Sequence, residues 1–464
     1  MPTLTTPAWQ EKFTRQDGNW SVYFAIILVG MFAIGQLVTP FIAHDDFDWL
    51  NFQFDQGFET PWSKTFSEGR WLNFPWSFIS HYLSIRGAVV LHLVTYSGLV
   101  WLMARLLSGR RSVIAALLLF VAPMAAESSL WPVTQVTGAF ISLVACWGML
   151  QSTRERDRLT WLAGGVFLGY LCYPSFGPVL MLLAATRIVD AKSAVRLAIV
   201  YVSVFIVAVL FVFLLNAIFH GAFTIQPSGW RGATPLLKDG TLSGNVERYL
   251  AYYRQLATLW PVFVVSAVGY AICIWRGTRR LQCACMLALG VMLLCMDAAL
   301  SIISGLELWL RASLWMWIVL CAPIVFLIGS AGRQQIMGVV LALPLLAIGA
   351  TAWSNMFQNV RHAFPAAQTL ANEVAIAQAG YAGAYDAVVL YGDVHDSALL
   401  RHLHSNRALR NLLFKEYGWY TTPCSPELCG KIESELAGRQ ELPRWLVVDR
   451  TFVIIVSRNR GDLY

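Results

Sequence analysis

The chain has 464 residues, 57% hydrophobic and 13% charged, with a formal net charge of +7 and a mean hydropathy of +0.56. Soluble domains carry about 25% charged residues. A soluble core cannot hide this much apolar surface, so the composition excludes an ordinary soluble protein and points to a polytopic α-helical membrane protein. The positive charge does not point to nucleic acid. Most Lys and Arg sit in short loops between apolar runs, where they set topology.

Residues 1–20 are polar and mixed in charge, and no small-residue cleavage site follows the first apolar run. That run, 21–42, is read as a signal anchor with a cytoplasmic N-terminus. A polar, aromatic loop covers 43–70, and 71–86 reads as an interfacial segment leading into a span at 86–107. Spans at 112–130 and 133–151 follow, joined by the short turn Trp131-Pro132. The stretch 160–186 is broken at Tyr173-Pro174-Ser175-Phe176-Gly177-Pro178. Basic residues flank it on both sides, so it reads as two short spans that go out and return. Spans at 196–217, 256–275, 281–302, 312–331 and 336–353 complete a set of about eleven, with a large outside loop at 218–255. The basic clusters then all fall on one side. After 354 the character changes. Residues 371–379 read as helix, and 387–391, 445–448 and 452–456 as short buried strands. This is a small α/β domain outside the cytoplasm, where Cys424 and Cys429 would form a disulfide. The other seven cysteines lie in or beside apolar spans and read as small hydrophobes.

The chemistry-bearing residues collect on the outer side. Asp45 and Asp46 directly follow the first span, and carboxylates at a hydrocarbon edge are costly enough to suggest a function. Such a pair can supply a general base or hold a divalent cation, magnesium or manganese. Lys64, Glu68 and Arg70 share their loop, with Asp55 and Glu59 read as solvated charge. Glu127 ends the third span, Tyr173 lies at the broken pair, Arg231 lies in the large loop, and Glu307 and Arg311 flank Leu308-Trp309-Leu310. Arginine at a membrane edge suits phosphate, because its fork bonds two oxygens at once. Asp297 lies inside a span and needs a partner. The chain has no phosphate-cradling G-x-x-x-x-G-K-[ST] sequence, no dinucleotide fingerprint and no H-E-x-x-H helix. No cytoplasmic loop is long enough for a nucleotide-binding domain, so an activated donor has to arrive through the membrane.

The acid pair after the first span, the Gly-Arg element in Ser67-Glu68-Gly69-Arg70-Trp71-Leu72, and the break at Tyr173-Pro174-Ser175 together resemble the GT-C superfamily of membrane glycosyltransferases. More narrowly, the chain looks like the serotype-converting O-antigen glucosyltransferases. The layout fits over nearly the whole chain; the specific motifs cover few residues. At 174 the chain has Pro where many relatives carry Gln. The resemblance implies a GT-C-like module over 21–353 and a periplasmic α/β domain over 354–464, in the bacterial inner membrane. It implies transfer of one sugar, glucose by default, from a polyprenyl phosphate to an acceptor glycan such as O-antigen, with inversion. Asp45 or Asp46 would be the base or a cation ligand, and Arg70 and Arg311 would balance the lipid phosphate. The alternatives are transfer of a sugar such as arabinofuranose to a surface protein such as pilin, or movement of a lipid-linked glycan by a flippase. A flippase would leave the outer domain without a role. An O-antigen polymerase or ligase would place its charged loop late, whereas the acids here are early.

Overall fold

The computed structural model describes residues 35, 38–39, 41–51, 60–109, 112–227, 233–236, 240–277, 279–381, 385–401, 403 and 405–459. The expected first span lies almost entirely outside these residues.

Three short helices come first: α1 (His44–Asn51), α2 (Pro61–Glu68) and α3 (Asn73–Ser80). Local chemistry fixes α2 at both ends. Thr60 and Ser63 exchange side-chain-to-backbone hydrogen bonds in a capping box, Pro61 occupies the first turn, and Gly69 closes the helix at φ 72°. In α3, Phe78, Ile79 and Tyr82 just beyond it are exposed, as an interfacial segment requires.

The apolar bundle follows: α4 (Ile85–Ser108), α5 (Val113–Phe120), α6 (Pro123–Ser128), α7 (Pro132–Gln151), α8 (Glu155–Tyr170), α9 (Phe176–Ala185), α10 (Ala191–His220), α11 (Leu242–Ala257), α12 (Trp260–Trp275), α13 (Arg280–Ser304), α14 (Leu314–Ile328) and α15 (Arg333–Val360). Every residue of α14 is buried. A helix apolar on all sides belongs at the centre, and α14 contacts α4, α9, α12, α13 and α15 there. By contrast α10 exposes Ile199, Ile206, Val207 and Leu210 along its length, a face suited to lipid rather than water.

Among the described residues, six helices are long and apolar enough to cross a bilayer: α4, α7, α10, α13, α14 with its leading turn, and α15 continuing into α16 (Ala363–Gly380). A seventh is counted if α11 and α12, bent by 76°, form one span. Of the eleven passages expected, the first lies almost entirely outside the described residues, and the stretches 112–130 and 160–186 consist of helices too short to qualify alone, for reasons written in the sequence. The stretch 112–130 is two short helices, because Pro123 lacks the N–H that would carry α5 onward. The stretch 160–186 is interrupted between α8 and α9 around Pro174, where a break was expected. At the far end α15 runs to Val360, past the boundary expected at 353.

The C-terminal part is a four-stranded sheet of β1 (Ala387–Tyr391), β2 (Thr421–Pro423), β3 (Trp445–Val448) and β4 (Thr451–Ile455), with α17 (Asn406–Tyr417) and α18 (Pro426–Ala437) between strands. The order is β2-β1-β4-β3. β1 is parallel to β2 and β4, and β3 is antiparallel to β4. The three strands read from the sequence are present within a residue; β2 is too short to carry a period. Cys424 and Cys429 are disulfide-bonded. The domain is docked on the bundle through α17 and α1. Asn51 donates to the Asn411 carbonyl at 3.2 Å, and Lys415 Nζ donates to the carbonyls of Leu50 at 3.2 Å and His81 at 2.8 Å.

Candidate functional site

The site is organised by the N-terminus of α7. Pro132 at its first position has no N–H to satisfy, and Trp131 before it provides no side-chain cap. Asp46, from 87 residues earlier, supplies the missing acceptor. Its Oδ2 accepts from Val133 N at 2.7 Å and its Oδ1 from Thr134 N at 3.1 Å. The Thr134 hydroxyl donates to Oδ1 as well. Ala43 N donates to the Leu130 carbonyl at 2.6 Å, tying the same two chain segments together. A carboxylate here meets the positive end of the helix dipole.

The first loop was expected to face water, and for Asp46 this is corrected: its exposure is 0%. Burial pushes its carboxyl up to about 7, against the opposing pull of the Thr134 hydroxyl, the Val133 N–H and the Lys64 charge. Lys64 is itself buried, with Nζ 5.6 Å from the centre of the Trp49 ring. The backbone of Asp45 lies in α1 next to Asp46, and its side chain falls outside the described residues.

Two arginine–carboxylate pairs flank this helix end. Arg70 Nε is 2.8 Å from Glu68 Oε2, and its guanidinium lies 4.9 Å over the Tyr173 ring. Tyr173 belongs to the break before α9, and that break is held beside α3. Leu72 N donates to the Leu171 carbonyl at 3.0 Å, and Asn73 Nδ2 to the carbonyls of Thr134 and Cys172. On the other side, Arg311 is 3.4 Å from Glu127 and lies 3.8 Å over Trp131 and 5.1 Å over Trp309. The structure therefore brings Asp46, Lys64, Glu68, Arg70, Glu127, Tyr173 and Arg311 to one end of the bundle. Glu307 is exposed and makes no ion pair with them, and Arg231 lies outside the described residues. Asp297 lies deeper, in α13.

The pairing changes what these groups can do. Neither arginine faces an incoming ligand as a bare charge. Its carboxylate partner holds the guanidinium in place, and the planar fork has N–H groups in more than one direction. Asp46 has both oxygens committed to α7. Among the described residues no three His, Cys, Asp or Glu side chains gather as a metal site.

Several participants went unnoticed in the sequence. Thr134 and Asn73 shape the site, Trp131 and Trp309 stack with Arg311 where the sequence marked them only as neighbours, and Lys415 clamps the end of α1 from far along the chain. The signal for Asn73 and Thr134 was a polar residue at the start of an apolar helix, which by itself marks only a cap. No protein-family model, curated protein or solved structure matches the chain.

Proposed function

We propose that the protein is a glycosyltransferase that moves one sugar from a polyprenyl phosphate to an acceptor hydroxyl at a membrane face. The observation that carries this reading is the convergence at the N-terminus of α7. An acid-bearing helix and two oriented arginines meet there, at the edge of a bundle with at least six helices of spanning length. A donor anchored in lipid reaches such a site laterally, and the chain carries no nucleotide motif to serve a soluble donor.

In this account the base is Asp45. Asp46 fixes α1 against α7, so its neighbour is held at a rigid helix end. Asp45 takes the proton as the acceptor oxygen attacks the anomeric carbon, and the bond from that carbon to the lipid phosphate breaks. The phosphate leaves as an anion and needs little protonation. Arg70 and Arg311, steadied by Glu68 and Glu127, meet its charge. Single displacement inverts the anomeric centre. The C-terminal domain, clamped on α1 by Asn411 and Lys415, is placed to present an acceptor. The module is GT-C-like, with the broken segments α5–α6 and α8–α9 counted among eleven membrane passages. The membrane is the bacterial inner membrane, with the acids and the α/β domain in the periplasm. Glucose is the default sugar and O-antigen the default acceptor, with arabinofuranose and pilin as the second pair.

The test is incubation of purified protein with labelled polyprenyl-phosphate sugar and each acceptor. Loss of label from the lipid and its appearance on an acceptor is expected. Movement of intact donor across vesicles without loss of label would replace transfer by flipping.

A further inference from the structure

Beside the α7 N-terminus lies a narrow recess lined by His92 and Tyr96 of α4, Ser128 of α6, Gln135 of α7, Ser175 and Arg311. Gln135 follows Thr134, the residue that binds Asp46. Two of the lining side chains are buried and unsatisfied. His92 is 4% exposed and Gln135 is 2% exposed. Neither His92 Nδ1 nor Gln135 Nε2 has a hydrogen-bond partner among the described residues. Buried polar atoms are nearly always paired, so each such atom calls for an explanation. Trp131, under the Arg311 guanidinium, leaves its indole N–H unpaired as well. Ser128, Ser175 and Arg311 are only partly buried and form the open side.

We infer that this recess reads one hydroxyl group of a sugar, and so is a specificity site. The inference rests on the transfer reading above for its sugar class. The chemistry favours a neutral hydroxyl over an anion. The buried end of the recess carries the Gln135 amide and no Lys or Arg, while Arg311, assigned above to the lipid phosphate, stands at the open side with Glu127 at 3.4 Å. The remaining groups are the Gln135 N–H₂, the His92 imidazole nitrogen and the Ser175 hydroxyl, with the Ser128 hydroxyl already donating to the Arg311 carbonyl at 3.4 Å, and together they can bond a group that both donates and accepts. Size agrees, since the recess has room for about one water-sized group. The ring would rest at the open side, where Trp309 is 42% exposed and Arg311 lies over both tryptophans. A site that bonds a substrate hydroxyl rejects the analogue lacking it, because its own buried groups are then left unpaired.

Two measurements separate this inference from the transfer reading. In the first, binding of methyl glucoside, methyl arabinofuranoside and their monodeoxy counterparts to the full-length protein in detergent is followed by saturation-transfer NMR. The expected result is that one glycoside binds, one deoxy counterpart of it binds about 10- to 100-fold more weakly or not at all, and Gln135→Leu abolishes that difference. His92→Phe serves as the second variant should Gln135→Leu fold poorly, and the discrimination in the parent protein needs no variant. Equal binding of all deoxy counterparts, discrimination that survives both substitutions, or no binding of any glycoside overturns the inference. The second measurement is consumption of the lipid-linked donor by the parent protein. Consumption without hydroxyl discrimination leaves transfer standing and removes the recess. Discrimination without consumption leaves the recess and removes transfer.

Discussion

Replacing Asp46 by Asn separates two opposing effects at the α7 cap. The parent carboxyl is wholly buried and titrates near 7, against an ordinary value of 3.8. Between pH 4 and pH 7 the folded protein therefore keeps a proton that the unfolded chain has released. The contribution of this group is fully present below about pH 4, and it is lost as pH rises through 7. A difference of about 3 pH units corresponds to about 4 kcal/mol, with about 2–3 kcal/mol of it falling between pH 5 and pH 8. Asn does not titrate, so it escapes this loss. Its NH₂ group, however, replaces one acceptor that now serves Val133 at 2.7 Å or Thr134 at 3.1 Å. A buried N–H left unpaired costs about 1–3 kcal/mol. The variant is thus expected to be less stable than the parent at pH 5, with the gap closing or reversing by pH 8. Thermal unfolding in detergent, followed by tryptophan fluorescence at both pH values, measures it. Taking the difference between variant and parent cancels the other titrating groups. An equal deficit at pH 5 and pH 8 would refute the buried, titrating cap.

Further outcomes follow from the same contacts. Lys415→Met removes the ammonium that holds the carbonyls of Leu50 and His81, at a cost of about 1–3 kcal/mol. Limited proteolysis should then release the C-terminal domain sooner, and an unchanged cleavage rate would argue against the clamp. Arg311→Lys keeps the charge but loses the planar stack on Trp131 and the fork. The rate of donor consumption should fall about 10- to 100-fold, whereas a parent-like rate would remove Arg311 from phosphate handling. Cys424→Ser opens a loop whose ends are 5 residues apart. On the chain-entropy account this costs about 2 kcal/mol, read as a lower unfolding temperature of the α/β part; no change on reduction of the parent would contradict it.

Much of the fold was legible because its signals are local. Alternating and continuous β-branched runs marked β1, β3 and β4, and the Pro-rich step at 173–178 marked the interruption between α8 and α9. The same locality explains why 112–130 read as one unbroken helix. Its hydropathy is continuous, and only Pro123 records that the helix stops and restarts. The site was half legible. Arg70 and Glu68 are two residues apart, so their pairing lies within reach of a motif. Glu127 and Arg311 are separated by 184 positions, and Asp46 and Val133 by 87. A single sequence gives the types of these residues and not their meeting. That is why Asp46 read as a candidate base or cation ligand when it is a buried cap, and why Lys415 was missed. His92 and Gln135 are polar residues within apolar spans, a signal the sequence carries but which says nothing of their meeting.

The account turns on Asp45 as base toward a lipid-linked sugar. Its most direct test is the rate at which purified, membrane-inserted Asp45→Asn protein transfers label from polyprenyl-phosphate sugar to acceptor, beside the parent. A general base in reach of the hydroxyl contributes about 10²–10⁴-fold, so a loss of that size is predicted, with donor binding retained. Transfer by Asp45→Asn at the parent rate would contradict the account.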